Sequence, residues 1–582
     1  MTNAEFLAEF PPISTQEWED TIRKDLKSAD YARKLLWQTA EGLTVKPYYR
    51  AEDIAQLDQV KVAPGDFPYM RGARLTPGWM IREEIAVEDP GEANRAARAA
   101  LASGADEIAF RDVRLANDSD LRLLLLNLEG IPLHFETADI PLLRLLKDYL
   151  QKRHHNAPIS TGWDPCSDFA FSAELADTSI PFFRPFTFHG EAFERSGAHA
   201  VEEVAFSLSA AIDFMDAMLE RGLPPDRAAN SLAFSFAIGS TFFVQIAKLR
   251  SFRMLWAQVV TSYGGSQECA RTRIHARTSH WNKTIYDPHV NILRATSEAM
   301  AAVLGSADSL SILPFDLCYK TPDAASLRLA RNTQLLLRHE AHLDRVADLG
   351  AGSYFLESIT DSIARESWKL MQEIEQIGGF RKASESGMVA QTLAASLAAK
   401  EQSTASRRAV LTGTNRYANP DEIALPRIDP VHEDLLPRGA RPYETLRLRS
   451  ERSFAQTGQK PRILLAEIGD MKMRGARSQF AADIFACAGL PTITRQYSDG
   501  TQIALSEADL VVLCGSDPEY LNFATDLLAA MNKLDRKTPV IIAGNPDTAD
   551  DLKKLGIADF VHLRANPVEF LSHWQKQLGI ED

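Results

Sequence analysis

Cysteine is scarce in this chain. Cys166, Cys269, Cys318, Cys487 and Cys514 are the five in 582 residues, the number is odd, and no two are spaced as CxxC. That fits free thiols in a reducing compartment better than a disulfide framework. No run of about 18 apolar residues occurs, so no membrane span is expected. The opening MTNAEFLAEF lacks a basic stretch followed by an apolar one, so no signal peptide is expected either. Positive charge is in deficit: 64 Lys and Arg stand against 78 Asp and Glu, a formal charge of −14. This argues against nucleic acid and against anionic membrane surfaces as partners. Together these features predict a cytoplasmic protein. GxxxxGK[ST], GxSxG and HExxH are also absent, which removes the simplest phosphate-loop, hydrolase and zincin readings.

What is present is ordinary globular material. Apolar residues make up 45% and charged residues 24%, with 29 Pro and 31 Gly. The length predicts several domains, one of them large. Residues 1–50 read as an extended N-terminal arm, with Ser14 or Thr15 placed to cap a helix running to Lys27. From about 60 to 420, short strands alternate with amphipathic helices. Strands are expected at 107–110, 131–135, 182–188, 231–237 and 272–276. Val201, Val204, Leu208, Ile212, Met215 and Leu219 recur at helical spacing until Gly222 and Pro224 stop them. A second helix carries Phe242, Ile246, Leu249 and Trp256. Repeated βα units over such a length suggest a (β/α)8 TIM barrel, although the pattern alone leaves a doubly wound sheet open.

Residues 425–460, rich in Pro and charge, read as a linker. Beyond it, strands expected at 462–466, 492–494, 510–514 and 540–543, with a weaker fifth at 560–563, alternate with helices such as 518–534 and 548–555. Five βα repeats in so short a span predict a flavodoxin-like, doubly wound C-terminal domain.

The most informative stretch runs from Ile274 to Asp316: IHARTSHWNKTIYDPHVNILRATSEAMAAVLGSADSLSILPFD. With DFPYMRG at 66–72, RNTQLLLRHEAHLDRVADLGAGSY at 331–354, and the arm segment LWQTAEGLTVKPYY, it resembles the methylmalonyl-CoA mutase family. The TIYDP and LPFD elements resemble the family's small-subunit pattern. The resemblance implies domains at 1–50 (arm), 51–424 (barrel), 425–460 (linker) and 461–582 (a degenerate cobalamin-binding-like domain). In catalytic relatives, adenosylcobalamin lies between the two domains. A D-x-H-x-x-G loop supplies the lower cobalt ligand. The barrel holds methylmalonyl-CoA with a Tyr-His pair and a further Tyr, and rearranges it to succinyl-CoA.

Three places depart from that pattern. In the loop Gly469-Asp470-Met471-Lys472-Met473-Arg474-Gly475, Asp470 and Gly475 fit, but Lys472 stands at the His position. A cobalt ligand needs a lone pair, and a lysine amine with a reference pKa near 10.4 gives one up only at a cost of about 4.6 kcal/mol at pH 7. The flanking Met471 and Met473 read as ordinary loop and core methionines. In PFFRPFTFHGEAFERSGAHAVEE, Glu191 and Ala192 stand where the Tyr-His pair belongs, with His189 one residue before the aligned Gly190. After Arg71-Gly72, ARLTPGW is about four residues shorter than the relatives' Tyr-bearing segment. The QND-type segment is unrecognisable around 160–169.

The resemblance therefore implies a heterodimer in which this chain is the non-catalytic small subunit. Adenosylcobalamin and substrate would belong to the large subunit, with no catalytic, cofactor or metal residues here and a role in propionate metabolism. Two rivals remain: an active acyl-CoA mutase with an unusual cobalamin binding mode, and a free-standing acyl-CoA-binding or regulatory protein. Other constellations read as structural. His154-His155 suits a solvated helix end, and His339 and His342 belong to the barrel pattern. Lys248, Arg250 and Arg253 suggest a solvated helix face, with a residual CoA-phosphate site as the alternative.

Overall fold

The computed structural model describes residues 13–115, 117–137, 139–152, 156–178, 180, 182–430, 432 and 436–581. Ser14 caps the first helix, Thr15–Leu26, through a reciprocal pair with Glu17. None of that helix is buried. A short antiparallel pair, β1 (Trp37–Gln38) and β2 (Thr44–Val45), follows.

Eight parallel strands then close into a barrel: β3 (Met80–Ala86), β4 (Glu107–Arg111), β5 (Leu133–Phe135), β6 (Ile159–Trp163), β7 (Phe183–His189), β8 (Leu232–Ile238), β9 (Arg273–Thr278) and β10 (Ser309–Ser311). They pair in chain order, and β10 closes on β3. Each is followed by at least one helix, so this is a (β/α)8 barrel and the doubly wound alternative falls. Side chains alternate across each strand. One face is apolar and packs under the helices: Phe234, for example, meets Phe252 of the helix Phe242–Ser262 with ring centroids 4.5 Å apart. The inner face is polar. Arg82, Glu107, His134, Ser160, Thr187, Ser235, Arg273, His275 and Ser309 lie at inward positions, where such barrels usually stack Val, Ile and Leu.

The helices Ala200–Glu220 and Phe242–Ser262 are buried nearly all round rather than amphipathic. Ala200–Glu220 lies against both Phe242–Ser262 and Tyr354–Ile377. This overturns the expectation of a solvated basic face. Lys248, Arg250 and Arg253 have side chains 1% exposed. Lys248 reaches Glu203 at 2.6 Å, Arg253 reaches Asp308 at 2.7 Å, and Arg250 pairs with Asp348 and, at 2.7 Å, with Glu357. Arg71 meets the same two carboxylates from the other side.

A second sheet holds β11 (Ile463–Glu467), β12 (Thr492–Gln496), β13 (Leu510–Cys514), β14 (Val540–Ala543) and β15 (Asp559–Val561). Its all-parallel order is β12-β11-β13-β14-β15, with helices on both faces, as in flavodoxin-like folds. Within 425–460, read as a linker, Arg441–Thr457 is a helix. Its Tyr443 and Leu446 sit in the core of the second sheet. Glu444 accepts from the Ile285 amide at 2.8 Å, and Arg447 lies 3.7 Å over the Tyr286 ring. This helix therefore ties the TIYDP turn to the C-terminal unit. Among the described residues, no helix is long and apolar enough to cross a membrane.

Candidate functional site

In a (β/α)8 barrel, sites form at the C-terminal ends of the strands. Here that mouth is a cavity of about 810 Å3, lined mostly by charged and polar residues. His189 ends β7. Its Nδ1 lies 2.9 Å from Glu191 and its Nε2 lies 3.0 Å from the Gly162 carbonyl. Both nitrogens face acceptors, so both carry protons. Burial works against that charge, and Glu191 with Glu136 outweighs it, holding His189 up at about 10. Glu191 starts the short helix Gly190–Arg195. That helix turns tightly over β8, because a Cβ at Gly190 would stand 2.8 Å from both the Phe236 ring and the Ser235 carbonyl.

A second chain crosses the floor. His134 donates from Nε2 to Glu136 at 3.0 Å and accepts at Nδ1 from Ser160 at 2.9 Å. Burial, and then Arg82, keep His134 below the usual histidine range. His275 bonds to Ser309 at 2.9 Å, and burial holds it well below that range too. Deeper still, Glu107 is fully buried between Arg273 at 2.8 Å and Arg82 at 3.1 Å. Burial pushes its carboxyl up, and the two guanidinium groups outweigh burial to hold it at about 2. The barrel axis is thus closed by charge pairs. Every histidine named here is engaged, and Ser160 is buried. The arrangement suits polar binding rather than nucleophilic attack.

The second place is the carboxyl end of the C-terminal sheet. Gly469 takes φ of 63°, and Asp470 caps the helix Met471–Ala486 by accepting from the Met473 amide at 2.9 Å. Lys472 and Gly475 therefore lie within the first turns of a helix, and Lys472 is exposed. Glu519 accepts from the amides of Asp470 (3.1 Å) and Ser516 (3.0 Å) and sits hard against Gly469. Beside it, Arg477 pairs with Asp517 at 2.9 Å and presses on Gly544. The protein's own side chains lace the ground where doubly wound sheets take ligands.

The structure brings His189 and Glu191 together at the barrel mouth, while Asp470, Lys472 and Gly475, expected in a loop, form the cap and first turns of a helix at the carboxyl end of the second sheet. His339 ends its helix and His342 lies in the turn beyond, with φ of 54°. His154 and His155 lie outside the described residues. Among the described residues, no group of three His, Cys, Asp or Glu could hold a metal. Sequence reasoning missed Arg82, Glu107, His134, Glu136, Arg273, His275 and Arg277. Their signal was the alternation of polar residues along single strands, as in Arg273, His275 and Arg277 of RIHART.

Residues 38–120 and 143–457 match the family model described as methylmalonyl-CoA mutase. A methylmalonyl-CoA mutase small subunit from Porphyromonas gingivalis is 36% identical, covering 98% of this chain and 98% of its own length. A probable methylmalonyl-CoA mutase small subunit from Mycobacterium bovis is 32% identical, with 94% of each covered. A methylmalonyl-CoA mutase from Escherichia coli is 29% identical over 72% of this chain and 66% of its own length.

Proposed function

The chain belongs to the methylmalonyl-CoA mutase family, and on that premise we propose that it is the non-catalytic small subunit of a heterodimeric, adenosylcobalamin-dependent mutase. The observation that carries this reading is that the positions where the family's chemistry needs working groups hold residues tied to their neighbours or turned to solvent. Glu191 is bound to His189, and Ala192 has no polar group to offer a thioester carbonyl. The residues present do not fit adenosylcobalamin held in the family's manner. No imidazole stands at Lys472, and Glu519 and Arg477 fill the ground over Gly469 and Gly544. Cofactor binding and the conversion of methylmalonyl-CoA to succinyl-CoA are then the large subunit's work. The relatives named as small subunits, alike over nearly the whole chain, support the same role.

The arm fits a partner surface. The helix Thr15–Leu26 buries nothing, and Trp18 and Trp37 are 46% and 50% exposed. A helix of that length is marginal in water without a surface to lie on. We assign residues 1–50 to that arm, with the barrel and the degenerate C-terminal domain behind it.

The test is to express this chain, a large subunit, and the two together. Each preparation is titrated with adenosylcobalamin and assayed with methylmalonyl-CoA. The expected result is a cobalamin spectrum with the nucleotide base displaced, and turnover, only where the large subunit is present. Stoichiometric micromolar binding or turnover by this chain alone would overturn the proposal.

A further inference from the structure

We propose that the C-terminal mouth of the barrel binds a small hydroxylated organic anion, one that carries a carboxylate or phosphate together with at least one hydroxyl group. This goes beyond the subunit reading and does not depend on it.

The cavity, about 810 Å3, is of the size that holds small metabolites. The lining presents guanidinium donors. Arg82 is 8% exposed and spends its Nη2 on Glu107, while its Nε–H is buried with no acceptor. Arg277 spends its Nη2 on Glu84 at 2.9 Å, and its Nε–H is likewise buried without one. Arg195, on the helix that follows β7, has no ion-pair partner among the described residues. A buried donor without an acceptor bears the full desolvation cost of that group. An anionic oxygen supplies the missing acceptor in a charge-assisted bond.

The same lining presents acceptors. Glu191 is 9% exposed, and its Oε2 has no donor, although Ser235 lies beside it. Glu136 has a half-exposed side chain, and Asp139 is nearby. Ionised carboxylates only accept, so they select a ligand that brings hydroxyl hydrogens. Among the described residues, no Phe, Tyr or Trp lines the cavity, so none of them is placed to stack on a nucleobase. Donors and acceptors in one cavity match a molecule that carries both an anionic group and hydroxyl groups.

The test uses the full chain and calorimetric titration. L-malate and glycerol 3-phosphate are the probes, and propionate and inorganic phosphate are the comparisons. At least one probe should bind saturably with Kd below roughly 1 mM, and both comparisons at least about tenfold more weakly, as expected when buried polar groups are left unpaired. Malate alone binding assigns a carboxylate head, and glycerol 3-phosphate alone a phosphate head. Arg195→Ala and Glu191→Gln should each weaken binding at least about fivefold while circular dichroism shows an intact fold, and surface Lys554→Ala should not. Absence of saturable binding by both probes overturns the proposal. So does equal binding by propionate or inorganic phosphate, or an equal effect of all three variants. These readouts contain no cobalamin, so their failure is separate from failure of the subunit reading.

Discussion

Replacing Glu107 by Gln should destabilise the barrel by about 3 kcal/mol at neutral pH and far less in acid. The side chain is fully buried, with Arg273 at 2.8 Å and Arg82 at 3.1 Å. Its carboxyl stands at about 2 against an ordinary 4.5. At 1.36 kcal/mol per tenfold change in proton affinity, that displacement corresponds to roughly 3 kcal/mol. It agrees with the roughly 3–5 kcal/mol typical of removing one partner from a buried pair. Gln keeps the volume, so a cavity is not the cause.

The sign follows from the lowered value. The contribution is complete above the unfolded carboxyl's range and is lost as pH falls through the folded one. The gap between parent and variant should therefore be full near pH 7, narrow below about 4.5 and nearly close toward 2. A chain with two cores need not unfold in two states, so the assay is calorimetry, read at the transition assigned to the barrel. At about 2–4 °C per kcal/mol for mid-sized domains, the neutral shift should be about 6 °C or more. Adding Arg273→Met should return part of the loss, because it removes one of the two stranded cations. A variant midpoint within about 1 °C of the parent at pH 7, or a gap that does not narrow in acid, would refute the reasoning.

Further outcomes are expected. Lys472→His should produce no turnover with methylmalonyl-CoA and adenosylcobalamin, because Glu519, Arg477, Glu191 and Ala192 remain; measurable product would show that the barrel departures matter less than argued. Arg250→Met leaves the buried Asp348 and Glu357 with Arg71 as their remaining arginine, and denaturant unfolding should show a loss of about 3–5 kcal/mol. Deleting residues 1–36 should weaken association with a large subunit while the barrel stays folded, since Leu43 and Val45, which pack on the barrel, remain; unchanged affinity in sedimentation would remove the arm's role. Alkylation mapped by mass spectrometry at pH 8 should reach Cys269 before Cys487, because burial pushes the Cys487 thiol up to about 12 and lowers its thiolate fraction.

Much of the architecture was legible along the chain. The helix through Val201, Leu208 and Met215 ends at Glu220, just before the Gly222 that the pattern marks, which takes φ of 83°. The strands of the second sheet lie within two residues of their expected places. The helix Arg441–Thr457 was not legible. Charged residues occupy its buried positions, Glu444 at 3% and Arg447 at 0% exposure, and so break the apolar period.

By itself the sequence determined the family and the order of the elements, because these are matters of residue identity and local spacing. Only the tertiary structure decided what the charges do. Arg250 finds its carboxylates 98 and 107 residues away, and Arg273 finds Glu107 at a separation of 166. Periodicity cannot tell a solvated charge from a buried pair, because the partner that makes burial tolerable lies on another element. Closure of the barrel turned the polar face of RIHART from a surface into an interior, where desolvation forces each charge to find an opposite one.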